Sequence, residues 1–313
     1  MEILVFGAGS LGSLVGGLLA RAHDVTLVGR DPHVAAVREE GLSITGAVDA
    51  HTTPDATTDG TGLRADLALV TVKAYDTAAA ADALAAGTYG AVCSLQNGLT
   101  EEVLTSRLSG GSTEDSVGTG DDMPPTILSG TATYGARLRE PGHVECTGKG
   151  TITIGTYGGG SDPWADRVGE AFDAAGLEVE VATDMPRRRW EKLAINAGIN
   201  APTALARVRN GELVDGPASD LSGEAARETA RVARAEGVSL SGGEAADAVE
   251  AVADATAANH SSMRQDVDRG TRTEIDAING VVCDRGASHG IDVPINRTLT
   301  GLVRAWEAER DLR

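Results

Sequence analysis

Lysine is almost missing from this sequence. Its 313 residues carry 27 basic side chains, of which only Lys73, Lys149 and Lys192 are lysines and 24 are arginines. Acids outnumber them at 46, for a net charge of −19. No basic patch or stripe is visible, which argues against a duplex nucleic-acid partner. Aromatic residues make up 3% against 41% hydrophobic residues overall, so the interior must be aliphatic and alanine-rich. No apolar run reaches the roughly 18 residues of a membrane span. The three cysteines, Cys93, Cys146 and Cys283, are far apart and lack metal-ligand spacing. Neither a disulfide framework nor a cysteine metal centre is expected. The six histidines and the acids likewise form no ligand set, so no metal is expected. "MEILVFGAG" reads as a strand rather than a basic leader, and a cytoplasmic location with reduced thiols is the expectation.

The acid surplus with so few lysines resembles the proteins of salt-loving archaea, where salt screens repulsion among surface carboxylates. The length favours two domains. Over residues 1–183, strands and helices alternate: Ile3–Phe6, a helix over 11–22, Val25–Val28, a helix over 33–40, strand-like segments around Leu42–Thr45, Leu67–Val72, a helix over 77–84 and a strand in "GAVCSLQNG". One strand is expected over 126–138, followed by strands over 142–147, 151–155 and 179–182 and a helix over 164–175. That alternation predicts an α/β, Rossmann-type dinucleotide-binding domain with a parallel sheet. Residues 108–125, polar and acidic, read as a surface loop. From 184 to 313 the pattern is helical throughout, including one helix over 272–288, which predicts a second, all-α domain for substrate and catalysis.

"GAGSLG" lies between the first strand and the first helix. Gly7 permits the tight turn, Gly9 lets a pyrophosphate approach the backbone, and Gly12 lets helix and strand pack closely. With Ala8, Ser10 and Leu11 between them, these residues are the candidate dinucleotide cradle, the helix N-terminus facing the anion. The second strand ends "LVGRD". Arg30 is placed to pair with a 2′-phosphate, which points to NADP (NADPH). Asp31, beside it, is the kind of acid an NAD site uses, so NAD stands as the second reading.

Within "WEKLAINAGINAPTAL", Lys192, Asn196 and Asn200 recur every four residues. They form one helical stripe about 12 Å long. Burying an unpaired ammonium and two amides costs several kcal/mol in rough terms, so the stripe is expected to line a polar cleft. Lysine scarcity sharpens this. An amine can donate a proton and its pKa can be lowered, whereas guanidinium stays charged. The same reasoning applies to Lys73, at the carboxyl end of a strand, where open α/β sheets bind ligands.

The motifs together resemble the ketopantoate reductase family over nearly the whole chain. "GAGSLG", "VTVKAYD" and "LQNG" are similar to its cofactor domain. "WEKLAINAGINAPTAL", "NGEL", "SSMRQDVDRGTRTEIDAINGVV" and "HGIDVPIN" are similar to its second domain. The resemblance implies NADPH-dependent reduction of 2-dehydropantoate, a small-molecule substrate, to (R)-pantoate on the route to pantothenate and coenzyme A. It implies Lys192 as general acid and Glu274 as the acid positioning substrate and lysine, also near the cofactor. It implies Asn196 and Asn200 as partners of the substrate's hydroxyl and keto groups. Ser262, with Asn259 a turn earlier, is implied at the substrate carboxylate, and Lys73 and Asn97 near the cofactor's ribose and nicotinamide. Plainer readings remain for three of them: Ser262 as a helix cap, Glu274 as an exposed helix acid, Asn97–Gly98 as a turn pair. Asp76 departs from the family, which commonly has an amide there. Glu145 and Cys146 replace a stretch that is often basic, and neither is given a role. A homodimer through the helical domain is the assembly reading. The rival functions are reduction of another small 2-oxo acid and non-catalytic sensing of NADPH.

Overall fold

The structure, a computed structural model, describes residues 1–109 and 123–313; most of the loop expected at 108–125 lies outside the described residues. The chain divides into two compact units, Met1–Gln96 with Thr100–Met185, and Asn97–Leu99 with Pro186–Arg313.

The first unit begins β1 (Glu2–Phe6), α1 (Ser10–Leu19), β2 (Asp24–Val28) and α2 (His33–Glu40). It continues β3 (Leu42–Gly46), β4 (Ala50–Thr52), β5 (Asp55–Thr57), β6 (Arg64–Val70), α3 (Thr77–Leu84), β7 (Thr88–Ser94) and α4 (Glu101–Leu108). Beyond residues 110–122 come β8 (Thr126–Ala132), β9 (Gly135–Glu140), β10 (His143–Gly148), β11 (Ile152–Thr156), α5 (Pro163–Ala174) and β12 (Val179–Val181).

Eight strands form one sheet in the order β12-β11-β8-β7-β6-β1-β2-β5. Every neighbouring pair is parallel except β11 with β8. The central strands read as near-continuous aliphatic runs because both faces are covered, which is what a parallel sheet demands. Val5, Leu27, Leu67 and Leu69 share a core with Leu14, Val15, Leu18 and Leu19 of α1. The chain leaves β1 for β2 on one side and later returns to place β6 on the other. The carboxyl end of β1 is therefore a topological switch point, where such sheets bind ligands.

A second sheet of four strands, β4-β3-β10-β9, was not foreseen. The single strand expected over 126–138 is corrected here: it breaks at Thr133 and Tyr134, so that β8 joins the large sheet and β9 the small one. Thr133 makes the corner by donating N–H and Oγ1 to the Thr151 carbonyl and accepting the Thr151 amide on Oγ1. His33 ties this region to α1. Its Nδ1 accepts the Gly142 amide at 3.0 Å, so Nε2 carries the proton that meets Ser13 Oγ, also at 3.0 Å. Burial lowers the pKa of the ring, which favours this neutral form.

The second unit contains α6 (Met185–Ala206), a short 3-10 turn at Asn210–Leu213, α7 (Ser219–Ala235), α8 (Gly242–Ala255) and α9 (Ser262–Arg269). It ends with one π-helical turn (Asp276–Gly280), α10 (Val281–Ser288) and α11 (Pro294–Ala308). The helix expected over 272–288 thus starts later, and its first turn is π-type. Its core is small-residue: Ala194, Ala197, Ala201 and Ala204 of α6 cluster with Ala225, Ala226, Ala230 and Ala233 of α7.

Pro202 lies inside α6. It has no N–H, so the carbonyl four residues back, that of Gly198, loses its helical donor. Ser222 supplies a replacement, its Oγ donating to Gly198 O at 2.6 Å within the buried core. We expect Ser222→Ala to cost about 1–3 kcal/mol, the penalty for an orphaned buried carbonyl. In a Pro202→Ala background the helix regains its own donor, and the cost of Ser222→Ala should shrink. A denaturant-unfolding cycle over the four proteins checks this; equal costs in both backgrounds would refute it.

Candidate active site

The glycine turn in the first unit is shaped from both ends. Gly7 has φ +121°, open to glycine, and a Cβ there would come within 2.5 Å of the Val72 amide nitrogen. A Cβ on Gly12 would collide with the Gly7 carbonyl and Thr71 Oγ1. Thr71 Oγ1 donates to Gly7 O at 2.9 Å, fastening the turn to the end of β6. The amides of Gly7 and Ala8 both donate to Val28 O, and that of Gly9 to Gly7 O. Those three donors are spent within the protein. The first amides of α1, from Ser10 through Gly12, begin a helix with no side-chain cap and no acid in its first turn. They are the donors an anion would meet. The Ser10 hydroxyl accepts the Leu138 amide at 3.0 Å, and Leu11 packs on the core.

Gly9 is different from its two partners. A Cβ there would find no heavy atom nearer than Gly7 O at 4.0 Å. The fold itself leaves room for a side chain there, so a need for glycine would have to come from something that approaches the turn from outside. A dinucleotide pyrophosphate fits that description, and the residues present fit such a cofactor. We expect Gly9→Ala to unfold within about 1 kcal/mol of the parent while weakening nucleotide binding about tenfold or more, each tenfold being one step of 1.4 kcal/mol. Denaturant melts and a fluorescence titration with NADPH separate the two effects. Unchanged nucleotide affinity would sink the assignment of Gly9.

Arg30 follows β2 by two residues, and its guanidinium is exposed. Asp31 accepts the Ala35 amide on Oδ1 at 3.2 Å, and so is used within α2. Lys73 precedes the 3-10 turn Ala74–Asp76, just past the carboxyl end of β6. Gln96 went without a role in the sequence. It donates from Nε2 to Val72 O at 2.9 Å and Thr77 Oγ1 at 2.8 Å, and so braces the turn that carries Lys73. The motif "LQNG" was the available signal.

In the second unit, the stripe on α6 meets two residues from elsewhere in the chain. Asn196 Nδ2 donates to Asn97 Oδ1 at 3.3 Å, and Asn97 Nδ2 donates to Glu274 Oε2 at 2.9 Å. Glu274 is buried, which removes the reading of an exposed helix acid. Lys192 keeps some accessible surface, but crowding around its ammonium desolvates it. Burial pushes its pKa down to about 8, and the charge of Glu274 partly opposes that fall. An amine with a pKa near neutrality, next to a carboxylate, is suited to giving up a proton. Gly98 has φ +85°, and a Cβ there would strike the Ala277 carbonyl and sit 3.1 Å from the Ala277 Cβ. Asn97–Gly98 is thus a packed contact with the π-turn and not only a turn pair.

Glu274 is held from behind. The neighbouring Thr273 donates its N–H and Oγ1 to fully buried Glu307 at 2.8 and 2.7 Å. Asn279, in the π-turn, donates to Ala197 O of α6 at 3.1 Å and to Asn296 Oδ1 at 2.9 Å. Neither brace has a local signal in the sequence. Asn200 is buried on the same stripe as Lys192 and Asn196. Ser261, and not Ser262, caps α9, its Oγ accepting the Arg264 amide at 3.1 Å. The capping alternative for Ser262 is corrected accordingly: Ser262 begins α9 and is exposed, as is Asn259. No bond joins Ser262 or Asn259 to the Lys192 group among the described residues.

Among the described residues no cluster of His, Cys, Asp or Glu could hold a metal ion, and no helix is long and apolar enough to cross a membrane. A cavity of about 500 Å³, lined in part by Glu2, His23, Asp24, Asp55 and Arg64, lies at the amino ends of the strands, opposite the glycine turn. It takes no part in the sites above.

The family model "Ketopantoate reductase PanE/ApbA" matches residues 3–159, and "Ketopantoate reductase PanE/ApbA C terminal" matches residues 184–307. A 2-dehydropantoate 2-reductase from Halobacterium salinarum is 43% identical over 319 residues, covering 99% of this chain and all of that protein. The crystal structure of a PanE/ApbA family ketopantoate reductase from Ralstonia eutropha has a TM-score of 0.85 at 32% identity, over 99% of this chain and 100% of that one. A ternary structure of D-mandelate dehydrogenase with NADH and anilino(oxo)acetate has a TM-score of 0.88 at 23% identity over the full length of both, a likeness of fold alone.

Proposed function

The chain belongs to the ketopantoate reductase family, and on that premise we propose that it reduces 2-dehydropantoate to (R)-pantoate with NADPH. The observation that carries this reading is the linked set Asn196–Asn97–Glu274 beside a lysine whose pKa is depressed to about 8.

Bound NADPH supplies a hydride to the ketone carbon. As the C=O bond becomes a C–O single bond, negative charge gathers on oxygen. Lys192 Nζ, protonated at neutral pH, stabilises that charge and then donates its proton, leaving the alcohol and a neutral amine. Glu274 keeps the ammonium charged before the reaction and holds Asn97 by its amide. Asn196 and Asn200 hydrogen-bond the substrate's keto and hydroxyl groups. Ser262 and Asn259 take its carboxylate. The amides that open α1 take the cofactor's pyrophosphate, Arg30 its 2′-phosphate, and Lys73 and Asn97 its ribose and nicotinamide. The compartment is the cytoplasm. The assembly is a homodimer, a point that sedimentation decides.

The test is a steady-state assay with 2-dehydropantoate and a panel of other small 2-oxo acids, each with NADPH and NADH, at low and high KCl. The reading requires 2-dehydropantoate with NADPH to give the highest kcat/KM. A higher value for another oxo acid would move the chain to a different substrate. Tight NADPH binding without hydride transfer to any oxo acid would make it a nucleotide sensor.

A further inference from the structure

Arg30 does not stand alone at the end of β2. Its Nη2 donates to Asp76 Oδ2 at 3.2 Å, with the arginine side chain 88% exposed and the aspartate 37%. Asp76 closes the 3-10 turn that runs directly into α3, and with a helical backbone (φ −96°, ψ 0°) its side chain makes no cap bond there. A capping side chain reaches the amides of its own helix from an extended backbone, which Asp76 lacks, so its carboxylate is left for other partners. Here the carboxylate turns outward to the guanidinium. Asp31, the other acid nearby, is already used by the Ala35 amide. The acid that faces Arg30 is therefore the one 46 residues along the chain.

We propose that Asp76 sets the nucleotide preference of this enzyme, holding down the affinity for NADPH relative to NADH at low ionic strength and releasing it as salt rises. The proposal rests on the reading of Arg30 as the 2′-phosphate partner. A 2′-phosphate, with close to two negative charges, either displaces Asp76 from the guanidinium or shares it through the other N–H groups, and in both cases lies about a guanidinium's width from the carboxylate. The Arg30–Asp76 pair is an exposed, single-contact ion pair, so displacing it is easy. The remaining repulsion between phosphate and carboxylate is the larger obstacle. A 2′-hydroxyl meets no such obstacle: it can donate to Asp76 while Arg30 stays paired. Because the charges are at the surface, dissolved ions screen them. The screening length falls from roughly 10 Å in 0.1 M salt to roughly 3 Å in 1 M. In a chain with 46 acids and a net charge of −19, salt acts on the whole surface, but only Asp76 adjoins Arg30 in the described pairings.

The experiment is a binding titration of the full chain with NADPH and with NADH, followed by nucleotide fluorescence, in about 0.1 M and about 1 M KCl. Circular dichroism at each salt verifies folding. At low salt, Asp76→Asn should tighten NADPH about five- to tenfold, the scale of one unit charge near a surface. NADH should change less than about twofold or weaken. At high salt the two proteins should converge on NADPH. Asp76→Ala, which removes the side chain's hydrogen bonding as well, should act on NADPH in the same direction. If Asp76→Asn leaves the NADPH:NADH ratio unchanged at low salt while Arg30→Ala lowers it, the proposal is overturned and the reading of Arg30 stands. If Arg30→Ala also leaves the ratio unchanged, both fall.

Discussion

Lys192→Ala should lower kcat about a thousandfold, within the range expected for loss of a positioned general acid, and leave the dissociation constant of NADPH within about twofold. The asymmetry follows from where the residue acts. Charge develops on the ketone oxygen only as hydride arrives, so the ammonium contributes chiefly to the transition state. The glycine turn, Arg30 and Lys73 remain intact in the variant. Lys192→Arg should be nearly as slow, because guanidinium holds its proton too tightly to release it. Small primary amines added to the Lys192→Ala protein should restore part of the rate. Near-normal turnover of Lys192→Ala would remove the residue from the mechanism.

Glu274→Gln should lower kcat about tenfold to a hundredfold at neutral pH, and it should also move the pH profile. In the parent, burial pulls the Lys192 pKa down to about 8 and the Glu274 charge pulls it back up. Replacing the carboxylate with a neutral amide removes the upward pull, and the pKa falls further. The acid form is the active one. Activity is therefore full below the lysine pKa and lost as pH rises through it. The descending limb of log kcat against pH should shift to lower pH in the variant, so that the deficit is larger at pH 8 than at pH 6. Glutamine still offers an oxygen to Asn97 Nδ2, so the variant tests charge more than position. A descending limb that stays put or moves upward would show that Glu274 does not set the lysine's proton affinity.

Much of this was legible in the residues, and the exceptions have a common cause. The glycine turn could be read because each glycine answers a local demand of backbone space. The α6 stripe could be read because helical period alone puts Lys192, Asn196 and Asn200 on one face. What periodicity could not supply is the partner across the stripe: Asn97 lies 99 residues before Asn196 and 177 before Glu274. Only the family resemblance had drawn attention to it. The small sheet escaped for the same reason, since β3 pairs with β10 about a hundred residues later. The break between β8 and β9 was hidden because Thr126–Leu138 is strand-like throughout, and the corner depends on Thr151. Two adjacent serines gave no local basis for deciding that Ser261 and not Ser262 caps α9. Gly98 passes close to Ala277 of the π-turn after Glu274, a contact that no single segment reveals.

Asn97–Leu99 groups with the helical unit although the residues on either side of it belong to the sheet unit. The polypeptide consequently crosses from one unit to the other three times, at 96/97, 99/100 and 185/186. Severing the chain at the last crossing would not yield two self-sufficient halves. A carboxyl-terminal fragment would keep the amine and its carboxylate but forfeit the carboxamide that joins that carboxylate to α6. Recombination or fusion schemes that exchange the helical half between homologues would likewise have to carry this tripeptide along as part of the transplanted piece.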